Sequence, residues 1–528
     1  MNLNITSDPD WLFLVLYALR KKNQSQAPPQ RARDEDDITT ELEYSAPVLD
    51  SLASLLVREP GHTVAVAFTR LTIADPQAGP ARLLVAQNAG SDVLELVQSH
   101  LTFIVDHLRK LRDVHVQDRP NRQPGETLTM YTKSPAGAKL AELQVSGEIA
   151  LLKYSWKEIK SRFEEDGRYR MFLDLLEDVR GNPTHRRARY RDEERRALKA
   201  LQDCSPEDRT HLDHVRDTIK GIHRLLSYNI ASGPLDGPTD EDRKVLYELR
   251  RWFHLVHRRI ADWSHVWSRC DAYLRVRYRP RKPEQQSEAR RTSPKPFRVG
   301  QWLSEVVSVS ADYVRIRRVA TSSTMASLFF NDQGDPPEVV LVPDQEPQRS
   351  TTVSESDVKS TLRAAGWADI DDAHYVQFLA ELSRDLTTLT GGAAESDSAC
   401  SDSPLCPSVH PECVLLTHLH EELQEPIVPY IGISNPPCLM CDLYIESYRA
   451  ATGISWSSRL PGTSLQLVPW RKPSTLSSGP DGITAATKAA ISKMCEELMA
   501  QIFVEIELAR YTLYRAAGPL KLADDWDG

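Results

Sequence analysis

The chain has 528 residues, 65 Lys plus Arg, 74 Asp plus Glu, and a net charge of −9. That length allows two to four domains, or one domain carrying a large insertion, and the acidic balance argues against a general nucleic-acid binder. Five of the eight Cys fall between positions 400 and 441, which is not a spread-out disulfide framework; it favours a reducing compartment, cytoplasmic or nuclear, with a local metal site.

The apolar run Trp11 to Leu19, followed by Arg20-Lys21-Lys22, is shorter than the roughly 20 residues needed to span a bilayer. It lacks the flanks of a secretory signal, so it reads as an amphipathic docking helix. The polar, charged stretch 22–45 reads as a disordered linker. Residues 46–58 have helical apolar spacing, and Pro60-Gly61 stops them. Residues 62–73 alternate and are β-branched, and 82–87 read as a second strand ending at Asn88-Ala89-Gly90.

From 91 to about 331 the spacing is helical over 91–112, 136–179, 186–202, 206–228, 239–279 and 299–330. Two stretches interrupt the chain as flexible segments, 275–298 and 332–357, the second holding a short strand at 339–342. The first begins with four Arg alternating with Val, Tyr and Pro. It reads either as a solvated linker or as a nucleic-acid tether that attracts phosphates. Helical spacing returns over 355–389, and a Gly/Ala/Ser/Asp linker covers 391–409. The remainder alternates: helix 411–423, buried strand 426–433, helix 437–451 ended by Thr452-Gly453, strand 464–468 and a long helix over 483–514.

Three short strings in that last part carry chemistry: His410-Pro411-Glu412, Pro437-Cys438 and Cys441. One His and two Cys can hold Zn²⁺ and leave its fourth tetrahedral position open for water. Glu412, two residues after the His, can stand beside that water and act as proton shuttle. Pro411 and Pro437 suit the first helical turn, where no N–H is needed. Helix N-termini at His410 and at the Cys pair favour thiolate over thiol. The spacing is the H-x-E…P-C-x-x-C pattern of zinc deaminases. The alternatives are a packed core of unrelated Cys and His, a structural zinc with Cys406 or Cys413 as fourth ligand, and a redox pair Cys438/Cys441. Cys413 reads as a small apolar packing residue, Cys400 and Cys406 as free thiols, and His418 and His420 as surface or core His.

Residues 410–470 resemble the deaminase-like family expanded in fungi, within the cytidine deaminase and nucleic-acid deaminase superfamily. The resemblance is carried by VHPECVLLTHL, PYIGISNPPCLMCDLYI and LVPW. It implies a three-layer αβα fold, Zn²⁺ on His410, Cys438 and Cys441, and Glu412 as the catalytic carboxylate. It also implies a helix and two antiparallel strands before the H-x-E, which 391–409 do not supply and 46–90 do. The expected fold class is therefore α/β: a cytidine-deaminase-like domain of 46–90 plus 404–515, split by an all-α insertion over 91–390. An N-terminal helix and linker would fill 1–45, and a tail 516–528. Asn88, where related deaminases often place a substrate-contacting Asn, and Pro437 are the candidate substrate contacts. The expected function is a zinc-dependent hydrolytic deaminase of a cytosine- or adenine-type base, with zinc-bound water as nucleophile. The alternative is a catalytically idle deaminase-fold scaffold that keeps its zinc.

Overall fold

The computed structural model of the chain describes residues 8–23, 40–71, 81–88, 91–118, 135–180, 192–203, 205–231, 238–278, 296–331, 333–343, 355–367, 373–389, 409–421, 424–435, 438–453, 456–458, 465, 468, 470 and 481–516. In chain order the elements are α1 (Pro9–Asn23), α2 (Thr40–Leu55), β1 (Val64–Leu71), β2 (Ala81–Gln87), α3 (Ser91–Asp118), α4 (Pro135–Tyr154), α5 (Trp156–Glu164), α6 (Arg168–Val179), α7 (Asp192–Gln202) and α8 (Pro206–Leu226). They continue with α9 (Asp240–Asp262), α10 (Ser264–Arg277), α11 (Val299–Val306), α12 (Ser308–Thr321), α13 (Ser323–Phe329), β3 (Glu338–Leu341), α14 (Glu355–Ala364) and α15 (Ala373–Leu389). The last are α16 (Pro411–Glu421), β4 (Gln424–Ile433), α17 (Leu439–Thr452) and α18 (Asp481–Ala516). The chain is helix-rich with one small mixed sheet.

Two compact units divide it. One comprises Met1–Ala53, Thr63–Gln98 and Pro337–Gly528; the other comprises Ser54–His62 and Ser99–Pro336.

The first unit holds the sheet, in the order β3-β2-β1-β4. Its strands are antiparallel except for the β2–β3 pair. The alternation in β1 sorts its side chains onto two faces. Ala65 and Ala67 share one face with Leu84, Ala86 and Ile431, and this face joins the main hydrophobic core, to which α16 also belongs. Val66 lies on the other face, opposite Val85 and Gly432. There α2 meets the sheet backbone to backbone: a Cβ on Gly432 would stand 2.3 Å from the Leu49 carbonyl carbon. Asp50, one residue on, accepts the Ile433 N–H at 3.0 Å and the Tyr430 hydroxyl at 3.0 Å, which pins the helix to the strand. Gly432→Ala is expected to lower stability by at least about 2 kcal/mol, because backbone cannot rotate away as a side chain can. A urea-melt midpoint equal to wild type would refute this contact.

The N-terminal helix corrects one expectation. It is a core element rather than an amphipathic docking helix. Trp11, Leu12, Phe13, Leu14, Val15, Leu16, Ala18 and Leu19 are all buried and belong to the main hydrophobic cluster. A helix that is apolar on every side buries itself inside a fold. It packs against α18 and α15. At its polar end Arg20 donates to Glu505 at 3.1 Å and to Gln501 at 2.9 Å, and Asn23 donates to the Glu505 carbonyl at 2.8 Å. α14 and α15, expected within the helical stretch, contribute Val358, Leu362, Phe378, Leu379 and Leu382 to the same core.

Several expectations fall on other residues. The stretch 24–39 of the proposed linker, the linker 391–408 and most of 275–298 lie outside the described residues. Of the strand expected at 464–468, only Leu465 and Val468 are described, and neither is in a strand. Instead Ser457 borders β4: the Ile431 N–H donates to the Ser457 carbonyl at 2.7 Å.

The second unit is helical. Its helices start on side-chain caps where the sequence supplies them. Ser205 accepts the Asp208 N–H at 3.0 Å, and Thr239 and Asp242 form a reciprocal capping box. Two histidines of α3 are buried in it, His100 stacked on Tyr154 and His107 beside the Tyr313 hydroxyl. Burial lowers the pKa of His100 to about 3 and that of His107 to about 4. Both are neutral when folded, whereas the unfolded chain takes up protons below about 6.5. The unfolded state therefore binds more protons between these values, and stability falls as pH drops from about 6.5 toward 4. Each histidine contributes a slope of roughly 1.4 kcal/mol per pH unit across that window. Urea unfolding between those pH values should show a shallower decline for His100→Phe than for wild type; identical slopes would count against it.

Candidate metal centre

The centre is built on the starts of two helices. Pro411 opens α16, and the His410 carbonyl accepts the Cys413 and Val414 N–H groups at 3.0 and 3.2 Å. His410 therefore sits at the helix entry, and Glu412 lies in the first turn. Cys438 is the N-cap of α17, with extended backbone, and its Sγ accepts the Cys441 N–H at 3.2 Å. The far end of α17 closes at Gly453, where φ is 73°, a conformation that glycine adopts without strain. β4 runs between the two helices. Its exit is fixed where the Val64 N–H donates to Ser434 Oγ at 2.9 Å and the Ser434 N–H donates back to the Val64 carbonyl.

Four of the residues singled out in the sequence converge here. One ligand atom from each of His410, Glu412, Cys438 and Cys441 lies within 4.8 Å of all the others. His410 Nδ1 stands 3.4 Å from Cys438 Sγ and 3.2 Å from Cys441 Sγ. A tetrahedral zinc with bonds of about 2.3 Å to sulfur and about 2.1 Å to nitrogen separates such atoms by roughly 3.6 Å. The donor set thus suits a divalent metal after only a small outward relaxation. Glu412 Oε1 is 3.9 Å from His410 Nδ1, and its side chain is 8% exposed.

The charges interlock. Burial alone would lower the His410 pKa, but the Cys438 thiolate beside it raises it to about 10. Burial would raise the Cys438 thiol; hydrogen bonding from Cys441 and the His410 charge bring it down to about 6. Burial and the neighbouring sulfurs of Cys413 and Cys438 push Cys441 up. His410 and Cys438 thus favour each other's charged forms, and metal binding at these ligands is expected to depend on pH.

Asn88 is not among the converging atoms. It ends β2, and its Oδ1 accepts the Thr63 N–H at 2.7 Å. Pro437 lies outside the described residues, as do Cys400 and Cys406. His420 engages the Tyr448 hydroxyl. Cys413 packs in the hydrophobic core, as its reading as a small apolar residue implies, with its Sγ 3.6 Å from Cys441 Sγ.

The unit is thus α/β, and at the starts of two of its helices stands a His/Glu/Cys/Cys cluster that could hold a metal. Residues 409–474 are similar to the family described as OTT_1508-like deaminase. No curated protein and no solved structure matches the chain.

Proposed function

We propose that the chain is a zinc-dependent hydrolytic deaminase of a cytosine- or adenine-type base, carried by a nucleoside, nucleotide or nucleic acid. The observation that carries this reading is the buried carboxylate of Glu412 next to a His/Cys/Cys donor set, inside a deaminase-like segment. A structural zinc needs ligands but no adjacent acid–base group. In this reading His410 Nδ1 and the two sulfurs hold the metal. Bound zinc supplies a Lewis-acidic centre that makes water nucleophilic near neutral pH. Glu412 would take the proton that water releases to the ring nitrogen as the C–O bond forms, then carry the proton of the added hydroxyl to the amine as the C–N bond breaks and ammonia leaves.

The fold we propose for this chemistry is a three-layer αβα domain split between 46–90 and 404–515. The pairing of β1 with both β2 and β4 supports it, as does the placement of α2 and α16 on opposite faces of that sheet. Asn88 and Pro437 are its proposed substrate contacts. The direct test is zinc content of the purified chain together with ammonia release from a panel of nucleosides, nucleotides and single strands. One zinc per chain and ammonia from any member support the reading. Zinc without ammonia from every member returns the scaffold of deaminase fold.

A further inference from the structure

The helical unit holds a cleft of about 360 Å³ that the metal centre does not use. Arg168, Arg275 and Arg298 line it with Asp271, Phe297 and Glu305. The fold assembles it from three places: the start of α6, the last turn of α10 and the entry to α11. Both carboxylates have local duties. Asp271 Oδ1 accepts the Val299 N–H at 2.8 Å and so caps α11. Glu305 accepts from Gln301 at 2.9 Å and from Arg168 at 3.3 Å. Arg275 and Arg298 are different. Their side chains are exposed, and both are attracted to the Asp271 carboxylate without a direct ion pair among the described residues.

Asp271 attracts both, yet the lining still sets three guanidinium groups against two carboxylates, an excess of positive charge that favours an anion. The third wall is aromatic. The Phe297 ring is half-buried, meets Trp302 edge-on at 5.6 Å and carries the Arg168 guanidinium 6.0 Å from its centroid.

We propose that this cleft binds the phosphate of a nucleotide, free or within a single strand, with Arg275 and Arg298 on the phosphate and Phe297 beside the base. Guanidinium forks match phosphate oxygens in pairs, which ammonium groups do not. An aromatic wall next to them suits a base, since every base has a π-face. The site belongs to the helical unit alone and stands whether or not the metal centre is active.

The test uses the full chain, a labelled short single-stranded RNA, cytidine monophosphate, inorganic phosphate and an oligoglutamate peptide. Binding is followed by anisotropy and calorimetry between about 50 and 200 mM salt. Arg275→Ala with Arg298→Ala should weaken nucleotide binding about tenfold or more and reduce the salt slope by about two. The paired Lys substitutions should recover part of the affinity. Phe297→Leu should weaken the nucleotide and the RNA but not inorganic phosphate. Saturable binding of the monophosphate identifies a free nucleotide as the ligand; binding of the RNA alone identifies a strand. The double Ala variant should keep the zinc content of wild type, which separates this site from the metal centre. The proposal is overturned if wild type binds neither nucleotide nor RNA, if the double Ala variant binds them unchanged, or if oligoglutamate binds equally well.

Discussion

Glu412→Gln is expected to leave zinc content unchanged while ammonia release falls about 10²–10⁴-fold, the range for loss of a positioned acid–base group. The amide has the shape of the carboxylate but cannot carry the proton. Because Glu412 is buried at the start of α16, the replacement needs no repacking. Metal analysis and an ammonia assay on the same sample separate two roles. A parallel loss of zinc would make Glu412 a ligand instead of a shuttle. Full activity with Gln at this position would sink the acid–base assignment.

A chain lacking residues 1–23 is expected to lose the folded state of the first unit. Seven large apolar side chains of α1, from Trp11 to Leu19, are each at most 7% exposed. At about 1.5–3 kcal/mol each they contribute roughly 10–20 kcal/mol, which matches or exceeds the whole net stability of about 5–15 kcal/mol typical of a domain. The deletion also strands Glu505, whose carboxylate is left buried without Arg20. Removing one partner of such a pair costs about 3–5 kcal/mol. A thermal melt with the wild-type transition, or zinc uptake at wild-type stoichiometry, would show that α1 is dispensable. Glu505→Ala offers a milder check on the same seam, with the melting temperature lowered but the transition preserved.

The metal centre was legible because its residues lie close in sequence and each stands at a helix start that proline or a capping side chain announces. The hairpin was legible from the alternation over 62–73 and 82–87, which the structure sets at Val64–Leu71 and Ala81–Gln87, whereas the helix read over 46–58 runs from Thr40 to Leu55. The role of α1 was not. Its apolar run shows that it must be covered, but its cover, α18, lies more than 450 residues away, and no local pattern encodes that pairing. The Gly432–Leu49 contact was hidden for the same reason: glycine in a strand signals close approach without saying of what. Cys413 packs in the core as its residue type implies. The pair Arg275 and Arg298 could be seen as basic in sequence, but only the fold brings them to one cleft with Phe297.

The pairing of β1 with β4 sets an order of events during synthesis. β1 leaves the ribosome more than 350 residues before the strand that completes its sheet. Until β3 emerges the hairpin is a two-stranded ribbon, marginal in water, and until β4 emerges one edge of β1 stays unpaired. α1 waits longer still, since α18 is the last helix of the chain. The helical unit, made of nearer contacts, can finish folding in the interval. The nascent chain therefore carries an exposed strand edge and a naked apolar helix through most of its translation, the two features that recruit chaperones and seed aggregation. Slowing elongation between residues 72 and 424, while both the strand edge and α1 are uncovered, should hurt soluble yield more than slowing it after residue 433, a contrast readable by placing rare codons in either stretch.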